Sequence, residues 1–255
     1  MKKIIQKIKN EIALLVWKKY YSPKLAKFKN IHKGEDCFII GNGPSLNKMD
    51  LTQLNDYYTF GLNKIYMIFK RMPFNISYHV AINSLIIKQS KNEISKLNCP
   101  SFLSYISAKN NNIKSKNVHL LGDIKPIDLF YKDLTEGIRQ GSTVTFVAMQ
   151  LAYFMGFKRV FLIGVDHNFQ QSGNPHDTQK MVTDDVNHFD PNYFKGHNWH
   201  LADLEGSEMS YLTANYYFNK DKRKIYDATL NGKLNIFEKT SFDEALGMAK
   251  KVNKT

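Results

Sequence analysis

The sequence predicts an α/β protein with a Rossmann-like, mainly parallel sheet and helices on both of its faces. Short apolar runs bounded by turn residues alternate along the chain with longer patterns of helical period. One apolar run ends in a turn bracketed by two glycines, with the sequence Gly41-Asn42-Gly43-Pro44-Ser45-Leu46. A second run, residues 159–166, is apolar in its interior, which is typical of a central strand buried on both faces.

Composition favours one large domain with a short N-terminal extension. The chain has 255 residues, of which 43% are hydrophobic, and can therefore bury a sizeable core. We expect the domain to span residues 34–250. The two cysteines, Cys37 and Cys99, are too few for a disulfide framework and predict reduced, structural thiols in a reducing compartment. No apolar run approaches the roughly 20 residues that a membrane-spanning helix needs.

The N-terminal extension, residues 1–33, is strongly basic. It holds ten lysines and one acidic residue, Glu11, and so carries +9 of the net charge of +13. Such an arm predicts an anionic partner: a membrane surface, a nucleic acid or an acidic glycolipid. Nucleic acid is disfavoured because arginine is scarce here and no binding motif is present.

Residues 2–20 have the pattern of an amphipathic helix. An apolar stripe at helical spacing is surrounded by lysines, as in helices that lie in a membrane interface; its members are Ile4, Ile5, Ile8, Ile12, Leu15 and Val16. The alternative is a helix that packs this stripe on the domain. We expect a lysine-rich linker from Ser22 to Gly34 to follow.

Three successive predicted strands end in asparagine, at Asn42, Asn63 and Asn83. The carboxyl ends of parallel strands lie at one edge of a sheet, where such folds bind ligands. Amide side chains there can bind ribose hydroxyls and a base edge without adding charge. The turn at 41–46 is typical of a phosphate or nucleotide site, although a plain strand-to-helix turn is the alternative.

A second turn, Gly141-Ser142-Thr143, begins an apolar helix that ends at Gly156. Free backbone N–H groups and two hydroxyls at this helix start predict an anion cradle, with simple capping as the alternative. Arg139 would supply a positive charge to the same anion. The strand at 159–166 then brings Asp166 and His167 to the same sheet edge.

The polar segment at 168–200 is too long for a simple connection and predicts a lid. A metal site is one explanation for its polar residues, but the only ligand-like spacing, between His197 and His200, is a weak signal. We therefore favour a lid with one histidine base. Its candidate contacts are Asn168, His176, Asp177, Tyr193, His197 and His200.

From about residue 36 to residue 215 the chain resembles two bacterial families. The turn at 41–46, the unit at 141–170 and the ending at 223–244 resemble the family similar to 6-hydroxymethylpterin diphosphokinase (MptE-like). The same landmarks resemble the lipooligosaccharide sialyltransferases, which bind CMP-sialic acid. In that comparison Asn63, Asn83, the 139–143 segment and Asp166 match donor-binding motifs, and His197 matches the catalytic base. Two tyrosines that hold the phosphate there correspond to Asn168 and Asn174, and His167, His176 or Tyr193 are the candidate substitutes.

The sialyltransferase resemblance implies an inverting glycosyltransferase with a CMP-linked sialic or other nonulosonic acid as donor and no required metal or other cofactor. It implies His197 as general base, Arg139 and His167 as further catalytic residues, a glycan or glycolipid acceptor, and assembly as a homo-oligomer. With the basic helix, it implies a cytoplasmic protein on the inner face of the membrane that acts in lipopolysaccharide biosynthesis. The alternatives are a pterin-type diphosphokinase using ATP and Mg²⁺, with Asp166, Asp177, Asp184 and Asp185 as candidate ligands, and a non-catalytic nucleotide-binding protein.

Overall fold

The computed structural model of the chain describes residues 2–123 and 127–252, with side chains from residue 8 onward. Its strands are β1 (Asp36–Ile40), β2 (Tyr58–Leu62), β3 (Tyr78–Ala81), β4 (Ser101–Ser104), β5 (Val118–Leu121), β6 (Arg159–Ile163), β7 (Thr178–Lys180), β8 (Asn198–His200), β9 (Lys224–Asp227) and β10 (Glu238–Lys239). Its α-helices are α1 (Lys2–Tyr20), α2 (Ser84–Gln89), α3 (Lys91–Lys96), α4 (Tyr105–Asn110), α5 (Val144–Met155), α6 (Leu204–Lys220) and α7 (Phe242–Met248). Short 3₁₀ helices span Ser22–Phe28, Pro44–Lys48, Leu51–Asp56 and Ile65–Ile68.

Eight strands form one sheet in the order β10-β9-β6-β1-β2-β3-β4-β5, and every neighbouring pair in it is parallel. From β1 the chain winds outward to β5, then returns to place β6 on the other side of β1 and continues outward to β10. Because the winding direction reverses between β1 and β6, a crevice opens at their carboxyl ends. The prediction of a Rossmann-like, mainly parallel α/β fold is confirmed.

Helix α5 lies at the centre of the core and is buried along almost its whole length. It ends at Gly156, whose left-handed backbone (φ +94°) suits glycine, as the sequence predicts. The residues between α1 and β1 close this helix end. The N–H groups of Asn30, His32 and Gly34 donate to the carbonyls of residues 154, 155 and 156. The prediction of a linker over 22–34 is therefore wrong, because this segment packs on the core and satisfies the last carbonyls of α5.

Helix α1 has one face that packs on the domain and another that is exposed to solvent. Trp17 is fully buried, and its indole N–H donates to the carbonyl of Leu120 (2.8 Å). On another face Ile8, Ile12 and Leu15 are 53%, 56% and 69% exposed. Residues four and three apart share one side of a helix, so these three form a continuous stripe, here called the α1 stripe. Ile4 and Ile5 lie outside the residues whose side chains are described.

The turn after β1 is held against the end of β6. The N–H groups of Gly41 and Gly43 donate to the carbonyls of residues 163 (2.8 Å) and 164 (2.9 Å). A Cβ atom on Gly41 would lie 2.2 Å from the Gly164 carbonyl oxygen, and one on Gly43 would lie 1.9 Å from Asp166 Oδ2. Neither Gly41 nor Gly43 has a positive φ. These glycines are thus required by the close approach of two strand ends rather than by a left-handed turn.

We predict that Gly41→Ala destabilises the protein by about 1–3 kcal/mol, because the new methyl group meets backbone that cannot move aside. Urea denaturation measures the change. The matched control is Gly247→Ala in α7, where a Cβ atom meets nothing within 4 Å. That control should leave stability unchanged or raise it by up to about 1 kcal/mol. Equal stability of the two variants would contradict the packing argument.

Candidate functional site

A cavity of about 1250 Å³ lies at the carboxyl edge of the sheet, over the crevice between β1 and β6. The ends of β1, β2, β3 and β6, the start of α5 and the strand β8 contribute to its wall, and α1 borders it with Lys9, Asn10 and Ala13. Twelve of the residues that the sequence singles out line this cavity: Gly41, Asn42, Gly43, Asn63, Asn83, Ser142, Thr143, Asp166, His167, Asn168, His176 and His200.

Other predicted site residues do not line the cavity; they are Pro44, Ser45, Arg139, Gly141, Asp177, Tyr193 and His197. His197 is exposed beside the β7–β8 hairpin, where its carbonyl accepts the N–H of Met181 (2.9 Å). The structure does not bring this histidine to the site; His200, on the adjoining strand, lies there instead. Tyr193 belongs to the lid segment but its side chain is buried, so it does not reach the cavity as a substitute for a phosphate-binding tyrosine.

Left-handed backbone conformations concentrate at the cavity. Asn63, Ser142, His167 and His176 have φ values of 50°, 53°, 51° and 67° and all line it. Each such conformation costs a non-glycine residue about 1 kcal/mol or more and persists only where its surroundings hold it. For Asn63, the N–H donates to the carbonyl of Val80 (2.9 Å). Strain of this kind clusters at binding and catalytic sites.

Asp166 holds the glycine turn rather than facing the cavity as a free carboxylate. The Ser45 N–H donates to its Oδ1 (3.0 Å) and the Ser45 hydroxyl donates to its Oδ2 (2.7 Å). Burial raises the pKa of Asp166, and the hydrogen bonds from Ser45 oppose that rise. Asp166 and Ser45 therefore set the shape of the lip on which Asn42 stands.

Two asparagine side chains at the cavity have buried oxygens without a hydrogen-bond donor in the described structure, namely Oδ1 of Asn42 and Oδ1 of Asn63. Buried acceptors are almost always paired, and an unpaired one costs about 1–3 kcal/mol. Both residues follow strand ends that the sequence identifies as a ligand edge. Both oxygens are closed off from solvent in this arrangement, so a ligand with N–H or O–H donors would reach them only after the amide groups rotate toward the cavity.

Asn83 fixes the orientation of His200. Its Oδ1 caps α2 by accepting the N–H groups of Leu85 (2.9 Å) and Ile86 (3.4 Å), so its Nδ2 is the atom that faces His200 Nδ1 (3.1 Å). An amide nitrogen is a donor, and His200 Nδ1 must therefore be the acceptor. In the neutral ring the proton then lies on Nε2. Burial, with a smaller contribution from His176, lowers the pKa of His200 and favours this neutral form.

Two further histidines each pair with a carboxylate from the α6 region. His167 Nε2 lies 2.8 Å from Glu208 Oε1, and His176 Nε2 lies 3.2 Å from Asp203 Oδ2. A ring that donates from Nε2 to a carboxylate keeps a lone pair on Nδ1, which is the arrangement of a general base with its orienting acid. The His167 side chain is largely buried, whereas that of His176 is exposed.

The hydroxyls of the predicted anion cradle are partly engaged by the protein. Ser142 Oγ donates to Asp203 Oδ2 (2.7 Å), and Thr143 Oγ1 accepts the N–H of Thr145 (3.3 Å) as the cap of α5. The Ser142 hydroxyl and then the Gly206 N–H hold the pKa of Asp203 below its ordinary value. The capping alternative thus applies to Thr143, and Ser142 connects the start of α5 to the start of α6.

Sequence reasoning missed three acidic residues at or beside the site. Asp123 lines the cavity and accepts hydrogen bonds from Ser104 Oγ (2.5 Å) and Gln140 Nε2 (2.6 Å). Its pKa is raised by burial. It lies two residues after the end of β5, as Asn42 does after β1, so the strand-end rule that found the asparagines could have found it. Asp203 has the position of a helix N-cap, a recognisable signal, whereas nothing local marks Glu208.

The lid is docked on the domain through Lys64. This lysine is only 4% exposed, and its ammonium donates to the carbonyl of Tyr193 (2.6 Å) while lying 4.7 Å from the ring centre of Phe194. Its backbone N–H donates to the Tyr193 hydroxyl (3.2 Å). Burial lowers the pKa of Lys64 to about 8. On the facing side of the turn, Phe189 N–H donates to the carbonyl of Asn42 (2.9 Å).

Within residues 2–123 and 127–252, no group of three or more His, Cys, Asp or Glu side chains is arranged to hold a metal ion. Over the same part of the chain, no helix has the length and apolar character needed to cross a bilayer.

Comparison with known proteins identifies the family of this chain. The family model described as 6-hydroxymethylpterin diphosphokinase MptE-like matches residues 14–172, more than half of the chain. The chain belongs to the MptE-like family. Its matched segment contains the strands β1 to β6, the start of α5, Asp166 and His167, whereas most of the lid and all of α6 lie beyond it. No curated protein matches the sequence significantly.

A solved structure shares the fold of this MptE-like protein. It is described as the structure of MAf glycosyltransferase from Magnetospirillum magneticum AMB-1 and superposes with a TM-score of 0.54 at 12% sequence identity. The match covers 89% of this chain and 38% of the other, so this chain spans well under half of that protein. At this identity the likeness establishes a common fold.

We predict that the contribution of Lys64 to the free energy of unfolding rises with pH. Because its pKa in the folded protein is about 8 and its ordinary value is 10.5, the unfolded chain binds more protons between these two values. Stability therefore rises with pH across that window. The difference in unfolding free energy between wild type and Lys64→Met should grow by about 1–2 kcal/mol from pH 8 to pH 9.5.

Urea denaturation at several pH values measures this difference. The matched control is Lys48→Met at an exposed lysine, whose difference from wild type should stay constant over the same range. A constant difference for Lys64→Met would contradict the assignment of a lowered pKa to the lid contact.

Proposed function

We propose that this MptE-like protein is a glycosyltransferase that moves a sugar from a nucleotide-activated donor to a glycan or glycolipid acceptor. The observation that carries the proposal is His167, which lines the cavity at the switch point of the sheet and is hydrogen-bonded to Glu208 of α6. A volume of about 1250 Å³ exceeds the usual range of single-ligand pockets, and so has room for both donor and acceptor. The fold shared with a glycosyltransferase structure is consistent with this activity.

The donor we propose is CMP-linked, with sialic or another nonulosonic acid as the sugar. Asn42 and Asn63 line the cavity, and their amide oxygens, once turned toward a bound nucleoside, suit the exocyclic amino group of cytosine and the ribose hydroxyls, which are hydrogen-bond donors. The nucleoside would lie on the lip at 41–45 with Asn168 beside it. The phosphate would face the start of α5 at Ser142 and Thr143.

The proposed reaction is an inverting displacement. The acceptor hydroxyl oxygen attacks the anomeric carbon, its proton passes to Nδ1 of His167, and the bond from that carbon to the phosphate oxygen breaks. The electron pair of that bond leaves with the nucleoside monophosphate. Glu208 orients His167 and stabilises the imidazolium that forms.

The leaving phosphate gains negative charge as its bond to the sugar breaks. His200 would donate its Nε2–H to that phosphate, since Asn83 holds the proton on this nitrogen. Arg139 is two residues before the turn at 141–143, and its guanidinium forms no salt bridge with an acidic side chain among the described residues. It would supply a positive charge once a donor is bound. His176, paired with Asp203, lies on the same side as a further contact.

A membrane-surface location accompanies this proposal. The α1 stripe is exposed, α1 carries lysines at both ends, and its other side borders the cavity through Lys9 and Asn10. We propose that α1 holds the enzyme on the anionic inner face of the cytoplasmic membrane, next to lipid-linked acceptors. The proposed enzyme requires no metal or other cofactor and has no nucleic-acid partner. We propose that it forms a homo-oligomer.

The family description favours one second candidate, a diphosphokinase that transfers diphosphate from ATP with Mg²⁺. Its candidate ligands already have protein partners: Ser45 for Asp166, Asn174 for Asp177, Lys195 for Asp184 and His188 for Asp185. Binding of a metal would have to displace some of these contacts. Activity that survives EDTA argues against this candidate, and CMP binding without turnover would favour a non-catalytic protein.

We predict that CMP raises the melting temperature more than CDP, UDP, GDP or ATP, and that EDTA leaves this shift unchanged. A ligand at 100 times its Kd stabilises the folded state by about 2.7 kcal/mol, a shift of several degrees. Thermal-shift measurements on wild type and on Asn63→Ala test the site, because the variant should lose most of the CMP shift. A shift that is largest with ATP and requires Mg²⁺ would contradict the proposal in favour of the diphosphokinase.

We predict that His167→Gln lowers kcat about 10²- to 10⁴-fold with the correct donor and acceptor, the usual contribution of a general base. Glu208→Gln should cause a smaller loss, because the ring stays in place without its carboxylate. His197→Ala is the matched control and should retain near-normal turnover, since His197 lies outside the cavity. Loss of turnover in His197→Ala with retention in His167→Gln would return the role of base to His197.

A further inference from the structure

A second, smaller cavity of about 370 Å³ lies away from the site, where the chain leaves α1. One wall is the segment from Tyr21 to Leu25, and the other is the connection from α4 to β5. Three lysines border it, Lys24, Lys109 and Lys114, and no acidic residue does. We call this feature the lysine cleft.

Two of these ammonium groups converge on one aromatic ring. Nζ of Lys24 lies 5.5 Å and Nζ of Lys109 lies 5.6 Å from the ring centre of Tyr21, and Lys109 also donates to the Tyr21 hydroxyl (3.3 Å). Within residues 2–123 and 127–252, none of the three lysines forms an ion pair with an acidic side chain. The cleft thus carries three positive charges without a carboxylate to balance them, and a bound anion would supply that balance.

The cleft is built on fixed structure. Leu25 is buried below it, and Tyr21 packs on Tyr105 with 5.4 Å between ring centres. Trp17, one helical turn before Tyr21, is anchored in the core. His119 also borders the cleft, and burial together with Lys27 and Lys24 lowers its pKa to about 4. A neutral His119 can offer an N–H donor without adding to the repulsion.

We propose that the lysine cleft binds the phosphate of an anionic phospholipid headgroup. Phosphate is a group whose charge and acceptor oxygens match several ammonium donors around one cleft. A lipid is the favoured source because the cleft begins at Tyr21, directly after α1 with its exposed stripe. The choice of source rests on the proposed membrane contact of α1, whereas the phosphate site itself is independent of the proposed transferase activity.

The experiment is co-sedimentation of the full chain with vesicles of phosphatidylcholine, with and without phosphatidylglycerol. The cleft variant combines Lys24→Gln, Lys109→Gln and Lys114→Gln. The matched control removes the same charge at exposed lysines elsewhere and combines Lys88→Gln, Lys96→Gln and Lys158→Gln. We expect the cleft variant to bind anionic vesicles at least about tenfold more weakly than wild type, and the control to change by less than about threefold.

Two further arms separate the sources of phosphate and the role of α1. Inorganic phosphate and glycerol 3-phosphate, added to the vesicle assay and titrated by calorimetry, should compete only at concentrations far above those of the accessible lipid. Ile8→Ser with Ile12→Ser and Leu15→Ser should weaken binding to both kinds of vesicle, while the cleft variant affects only the anionic ones. Folding of each variant is checked by its melting temperature.

Equal losses in the cleft variant and the control would overturn the proposal, because net charge alone would then explain binding. Tight binding of free phosphate to wild type, lost in the cleft variant, would overturn the lipid as the source. Turnover on a soluble acceptor should be normal in the cleft variant. Failure of the glycosyltransferase assay in wild type would bear on the proposed function and leave the vesicle result standing.

Discussion

The closeness of two strand ends is the constraint on which the site depends. The ends of β1 and β6 approach so tightly that the turn between β1 and the following helix has no room for a Cβ atom at residues 41 and 43. Asp166, at the end of β6, then binds both the backbone and the hydroxyl of Ser45. This contact positions Asn42 at the reversal point of the sheet. The Asn42 carbonyl in turn accepts a hydrogen bond from the lid. The cavity wall and the lid thus share one support.

The lid and α6 complete the site from the far part of the chain. Lys64 at the end of β2 contacts the lid at Tyr193 and Phe194, and α6 supplies Glu208 to His167. Ser142 and Asp203 connect the starts of α5 and α6, so the two helices that border the cavity are held at their amino ends. Residues beyond the matched family segment therefore orient groups that lie within it.

The sequence predicts most of the sheet and the edge on which the cavity lies, because apolar runs and strand-end asparagines are local signals. Strands β1, β2 and β3 end at residues 40, 62 and 81, within two residues of the asparagines that mark their ends in the sequence. The sequence predicts less well which face of a long helix is buried. Met209, Leu212 and Tyr216 share one face of α6, but that face is exposed, because the small residues Ser210 and Ala214 on the other side allow the helix to pack closely.

The pairing of histidines with acids could not be predicted from the sequence either. The choice between His197 and His200 depends on which side of a short hairpin faces the sheet edge, and β8 is only three residues long. Glu208 reaches His167 across 41 residues, a contact that no local pattern specifies. The segment 22–34 has the composition of a linker, yet two buried side chains, Leu25 and Phe28, fix it to the core.

The side chain of Asn83 joins two properties that are usually independent. One end of its amide begins α2 and the other end meets the ring of His200. The amide cannot turn over to accept a proton from His200 Nδ1 without removing the cap of the helix, at a cost of about 1 kcal/mol. The cap at the start of a helix thus fixes the position of a single proton. The residue that follows a strand determines which nitrogen of a neighbouring ring can donate.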